Sequence, residues 1–110
     1  MKIAVVQKSS YNLDYNKNIE IGINSVKEAK TLGADIVLFP ECFITGYTLP
    51  ITKEQAIADD SDYIKVFCNI AKKLNIGIVI TAFTKGEEKA QNSAFLIDKT
   101  GNILMKYIKV

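Results

Sequence analysis

Apolar residues fall in short runs separated by polar, turn-forming stretches, and the runs follow two different periods. Ile3-Ala4-Val5-Val6-Gln7 is apolar and β-branched, which predicts a first strand. Ser9 to Asp14 is a polar loop, and Asp14 is placed to cap a helix. From Tyr15 to Leu32 the residues Ile19, Ile23, Val26 and Ala29 recur at three- and four-residue intervals, one stripe of an amphipathic helix. Gly33 suits a left-handed stop after it. Ile36-Val37-Leu38-Phe39 then runs without interruption into Pro40-Glu41-Cys42. A continuous apolar run predicts a strand buried on both faces, and Pro40, having no N–H to donate, ends it.

The second half alternates in the same way. Thr45 to Pro50 reads as a loop carrying aromatic character, and Lys53 to Ala58 as a short helical turn. Asp59-Asp60-Ser61-Asp62 is a helix-start signal, rich in capping side chains and negative charge. The helix that follows buries Tyr63, Ile64, Phe67, Cys68, Ile70, Ala71 and Leu74, with Asn75 and Gly77 as stop signals. A third strand is expected over Ile76 to Phe83, a hairpin loop over Thr84 to Lys89, and a fourth strand over Asn92 to Asp98. Asp98 to Asn102 is a turn, and Ile103 to Val110 a fifth strand. The order β-α-β-α-β followed by two hairpin-linked strands implies an α/β fold: a mixed β-sheet, parallel in its core, with flanking helices. No repeat, linker or low-complexity segment interrupts this single unit, residues 1–110.

Composition narrows the function classes. The chain has 110 residues, 48% of them hydrophobic, so it can build one modest core. Its 14 basic and 12 acidic residues are dispersed and leave a net charge of +2, which argues for neither nucleic acid nor an anionic membrane as partner. There is no histidine and only two cysteines, Cys42 and Cys68. Common zinc patterns and any Ser-His or Cys-His nucleophile pair within the chain are excluded, and no metal or other cofactor is expected. No apolar run reaches membrane-spanning length and the start lacks a signal-peptide profile, so a cytoplasmic location with free thiols is the expectation. The lysine after the first strand sits in Lys8-Ser9-Ser10-Tyr11, not in a glycine-rich phosphate loop, so dinucleotide binding is a poor reading.

Two residues stand out as chemistry. Glu41 falls just past the end of the second strand, at the rim where open α/β sheets bind ligands. It reads either as an exposed, salt-bridged carboxylate or as a general base whose apolar neighbours raise its proton affinity. On the fifth strand, alternation puts Ile103, Met105, Tyr107 and Lys109 on one face. Lys109 reads either as a strand-end lysine reaching for water or as a buried cation placed to stabilise developing negative charge. Cys42 adjoins Glu41, yet neighbours on an extended segment point apart, so a buried structural thiol is the better reading. Cys68 lies on the apolar stripe of the second helix and reads as a small hydrophobe.

Taken together these segments resemble the carbon–nitrogen hydrolase family, also called the nitrilase superfamily. Lys2 to Gln7 looks like its opening strand, and Asn18 in Tyr15-Asn16-Lys17-Asn18-Ile19 like the start of its first helix. Gly33-Ala34-Asp35-Ile36-Val37-Leu38-Phe39-Pro40-Glu41, followed by Thr45-Gly46-Tyr47, is similar to the segment carrying the family's catalytic glutamate. Asn92-Ser93-Ala94-Phe95-Leu96-Ile97-Asp98, then Gly101 and Tyr107-Ile108-Lys109, is similar to the segment carrying its catalytic lysine. The resemblance spans the whole chain in order. It implies a Glu-Lys-Cys triad acting on amide, nitrile or carbamoyl substrates through a thioester, with Glu41 as base and Lys109 as stabiliser of the tetrahedral intermediate.

Two departures accompany it. The family's nucleophilic cysteine follows the lysine, and neither Cys42 nor Cys68 occupies that position. The family's Tyr-Arg-Lys reads Tyr107-Ile108-Lys109 here, with the lysine kept. The resemblance therefore implies the N-terminal part of such a domain, truncated after the lysine strand. It would be about half of a four-layer αββα sandwich, inactive alone and homo-oligomeric when complete. The alternatives are a non-catalytic fragment or pseudoenzyme that binds a partner, and a small flavodoxin-like binding domain.

Overall fold

The computed structural model describes residues 1–47 and 49–109. Thr48 in the expected loop and Val110 at the end of the expected fifth strand lie outside the described residues. The elements are β1 (Ile3–Val5), α1 (Tyr15–Thr31), β2 (Ile36–Leu38), α2 (Asp62–Leu74), β3 (Gly77–Lys85), β4 (Ala90–Ile97) and β5 (Ile103–Ile108). They build one five-stranded sheet in the order β1-β2-β3-β4-β5, with β1, β2 and β3 parallel and β4 and β5 added antiparallel. This is the mixed α/β sheet that the element order implies.

Helix ends follow the local chemistry. The Asp14 side chain accepts from Lys17 N at 3.3 Å at the start of α1. At its end Gly33 takes φ +86°, and Ala34 N donates back to Ala29 O at 3.0 Å. At the end of α2 it is Asn75, at φ 54°, that turns left-handed, while Ile76 N donates to Ala71 O at 3.0 Å. Gly77 is not part of that stop. It opens β3, where an added Cβ would come within 3.1 Å of Ile36.

The core lies between the helices and one face of the sheet. Val26 and Ala29 of α1 and Ile64, Phe67 and Ala71 of α2 pack on the alternate residues Val37, Ile78, Ile80, Ala82, Phe95 and Ile97. The deepest face of α1 differs from the apolar stripe: Asn18, Gly22, Ser25, Val26 and Ala29 are buried, whereas Ile19 and Ile23 only flank the core. Gly22 is there because Phe67 lies against it, with a ring carbon 2.8 Å from where a Cβ would stand.

Among the described residues no helix covers the opposite face. Register places Val5, Leu38, Val79, Leu96 and Met105 side by side on it, with Ala94 and Tyr107 alongside. None of these joins the core cluster. The expectation that the β2 run is buried on both faces is thus corrected: Val37 is buried toward the helices, while Ile36 and Leu38 stay half open. The uniform row expected on β5 also changes. The register slips at Leu96/Ile97, so Ile103 pairs with Ile97, while Met105, Tyr107 and Lys109 continue the open-face row. Several boundaries differ too, with β1, β2 and β5 each ending before the expected residue. The expected helical turn is a turn at Lys53–Gln55 followed by a bridge from Ile57 to Thr84, β3 continues to Lys85, and β4 begins at Ala90.

Candidate active site

The segment after β2 is pinned across the end of β3. Phe39 N donates to Val79 O at 3.1 Å, and Ile44 N to Thr81 O at 3.0 Å. The Thr81 hydroxyl accepts from Phe43 N at 2.9 Å and donates to Pro40 O. Thr45 Oγ1 accepts from Phe83 N at 3.1 Å. The buried Asn18 amide ties the same turn to the β1–α1 loop, donating to Ile44 O and Tyr11 O and accepting from Tyr11 N. These bonds hold Glu41 at the carboxyl-end rim of the sheet, as the strand-then-proline pattern predicts.

Lys109 reaches the same rim from the other edge. β5 runs parallel to β3, two antiparallel pairings away, so the end of β5 lies where β2 and β3 end. Lys109 N donates to Asn92 O at 2.8 Å, one ladder bond beyond the paired residues. Its ammonium then donates to Glu41 Oε1 at 2.7 Å. The structure brings the two candidate residues together across 68 positions of sequence. Asn92 Nδ2 points at the other carboxylate oxygen, Oε2, at 3.5 Å.

Exposure and electrostatics favour the salt-bridged carboxylate and the water-reaching lysine, and correct the raised proton affinity and the buried cation of the other readings. The hydrogen bond from Lys109 holds the Glu41 carboxyl below its usual range, outweighing the opposite effect of burial. Apolar surroundings do not raise it. Lys109 is not a buried cation: both side chains are about half exposed, 55% and 49%. Its ammonium is held above the usual lysine range chiefly by the bond to Glu41.

Cys42 is fully buried with Ala56 and Phe83, on a left-handed residue at φ 53°. Burial, and then the Glu41 charge, push its thiol up to about 12. The structural reading of this cysteine holds, though the reason is the turn and its burial and not alternation along a strand. Cys68 sits on α2 beneath the β4–β5 turn, where Gly101 approaches its main chain, and burial raises its thiol as well. Neither sulfur is suited to attack. Beside Glu41 opens a cavity of roughly 480 Å³, walled by Gln7, Lys8, Ser9 and Asn12 on one side and Tyr47 on the other. The Tyr47 ring rests 5.7 Å from that of Phe83.

The residue that sequence reading left without a role is Asn92. No local signal marked it: an unbroken count back from the Asp98–Asn102 turn would set it opposite Ile108, and only the slip at Leu96/Ile97 brings it opposite Lys109, on the face shared with Ala94.

Known proteins give the arrangement its context. The curated relatives include an arylacetonitrilase of Aspergillus niger, 26% identical over all of this chain and 36% of its own length. Nitrilase homolog 2 of Dictyostelium discoideum is 26% identical over 86% of this chain and 30% of its own. The chain thus spans about a third of these relatives. Among solved structures, an amidase from Nesterenkonia sp. superposes with a TM-score of 0.82 at 27% identity, covering 100% of this chain and 43% of the amidase. Variants of that amidase have been seen with acrylamide and with butyramide, and with an acetamide moiety added at its active-site cysteine. The match to the family itself runs over residues 2–110, and the chain belongs to the carbon–nitrogen hydrolase family.

Proposed function

We propose that Glu41 and Lys109 are the base and the electrostatic partner of a Glu-Lys-Cys hydrolase of non-peptide carbon–nitrogen bonds, whose nucleophilic cysteine comes from outside residues 1–110. The observation that carries this reading is the 2.7 Å pair between Glu41 and Lys109 at the carboxyl-end rim of the sheet. A carboxylate and an ammonium held together at a sheet rim can divide the work of acyl transfer. The carboxylate takes the proton of an incoming thiol as sulfur attacks the carbon of an amide. The ammonium faces the negative charge that develops on the former carbonyl oxygen. The proton held by Glu41 then leaves with the amine, and a thioester remains. Water, giving a proton to Glu41, attacks the thioester and frees the acid and the thiol. Small amides are the favoured substrates, because the relative from Nesterenkonia has been seen with acrylamide and butyramide. Nitriles and carbamoyl compounds offer the same electrophilic carbon. The 110 residues alone are expected to be inactive.

A second reading, a non-catalytic binding module, draws on the open apolar face of the sheet, where Met105 and Tyr107 are 57% and 60% exposed. Reading the gene past Val110 separates the two. The hydrolase reading expects a cysteine at the end of a following strand, and ammonia release from butyramide by the complete product. Glu41→Gln or Lys109→Ala should then lower kcat at least about 100-fold. A stop codon directly after Val110, or turnover that survives both substitutions, would sink it.

A further inference from the structure

One residue touches both members of the pair. Asn92 lies near the start of β4, opposite Phe83 on β3, and its side chain is on the open face with Glu41. Its main-chain oxygen accepts from Lys109 N at 2.8 Å, and its side-chain Nδ2 donates to Glu41 Oε2 at 3.5 Å. Lys109 Nζ occupies the other oxygen, Oε1, at 2.7 Å. The two oxygens of the carboxylate therefore have different owners, each supplied by the β4–β5 hairpin.

This division matters for a base. The terminal torsion of a glutamate is broad and nearly two-fold, so a single contact leaves the carboxylate plane free to turn. Two donors, one on each oxygen, fix it. An ionised carboxylate has about four lone-pair sites. With Oε1 committed to the ammonium, Oε2 is the oxygen left for a thiol proton, and an amide N–H on one of its sites directs the other. Asparagine suits this position because its donor is neutral. An aspartate there would offer no donor and would add a like charge.

We propose that Asn92 is a positioning residue of this site, setting the plane of the Glu41 carboxylate with its side chain and the seat of Lys109 with its main chain. This rests on the reading of Glu41 as the base. Its bonds divide cleanly: the ladder bonds of β4 are main-chain, so replacing the side chain leaves them intact.

The test is a carbon-13 NMR titration of the Glu41 carboxyl in the 110-residue chain, comparing the native protein with Asn92→Ala and Asn92→Asp. The native carboxyl is expected to titrate below an ordinary glutamate. Asn92→Ala should move it upward, toward the ordinary value, and Asn92→Asp further still. If alanine at this position disturbs the hairpin amide pattern, Asn92→Ser, which keeps a short hydroxyl donor, takes its place. Serine is then expected to leave the titration lower than aspartate does. An unmoved titration in Asn92→Ala with the amide pattern retained would overturn the proposal, as would serine and aspartate titrating alike. The readout needs no turnover. A shifted titration, together with a complete gene product that never hydrolyses amides, keeps the positioning role and removes the hydrolase reading; hydrolysis by the complete product with an unmoved titration does the reverse.

Discussion

The two faces of the sheet are built from similar residues and meet different fates. Toward the helices, Val37, Ile78, Ile80, Phe95 and Ile97 are almost wholly removed from water by α1 and α2. On the other side, Val5, Leu38, Val79, Leu96 and Met105 form an equally apolar row, yet Val5 is 62% exposed. Stability therefore resides on the first face and the candidate chemistry on the second, since Glu41, Asn92 and Lys109 meet at the rim of the open side. A sheet face needs cover for an apolar row to count toward folding. Where cover is absent, apolar character marks a surface suited to contact.

The largest expected effect separates the faces directly. Phe67 is fully buried and packs against Phe39 at 5.8 Å between ring centroids. Phe67→Ala should cost about 3–5 kcal/mol of folding stability. Met105→Ala, an equally apolar truncation on the open face, should stay within about 0.5 kcal/mol. Urea unfolding of both variants measures the contrast. Similar losses from the two would mean that the open face is already covered in solution.

The same contrast explains what was readable in the sequence. Local signals were legible because they act over a few residues: the Asp14 cap, the Gly33 stop and the order of parallel and antiparallel strands all stand as expected. Glu41 and Lys109 were legible as candidates, each at the end of a strand. Their partnership was not implied by spacing, because it depends on β5 lying two strands from β3. The buried side of α1 was misread for a related reason. Asn18, Gly22 and Ser25 are buried by what they touch, hydrogen-bond acceptors and a phenyl ring, and not by their own apolarity. The fate of Glu41's proton affinity was also decided at long range. An apolar neighbourhood pushes one way, but a lysine 68 residues away pushes harder in the other.

Thr81 tests the border between the faces. It sits on the open side but is buried, because the turn carrying Glu41 crosses it. Thr81→Val keeps the shape and removes the hydroxyl, leaving Phe43 N and Pro40 O without their partner. A loss of about 1–3 kcal/mol is expected. Faster amide exchange at Phe43 should accompany it, with Ile78 on the covered face unchanged. Equal loosening at both sites would mean that the turn and the helix-covered core are a single cooperative unit, and the border would vanish.

The smallest effect belongs to the ion pair, which is half exposed and so screened by water. Its sign can still be worked out. Glu41 is held below its ordinary value in the fold, so its contribution is present above the unfolded value and is lost as pH falls through the lowered one. Lys109 is held above its ordinary value, so its contribution is present below the unfolded value and is lost as pH rises through the raised one. Across the neutral range both contributions stand, and stability should be flat there. Lys109→Met keeps the apolar stem and removes the charge. Its stability should match the native chain in acid, below the point where Glu41 takes its proton, and fall behind as Glu41 ionises. Salt at about 1 M should shrink that gap. A gap that persists unchanged in acid, where Glu41 is neutral, would mean that the ammonium contributes through something other than the ionised Glu41, and would leave the pair as geometry for chemistry with no part in holding the fold.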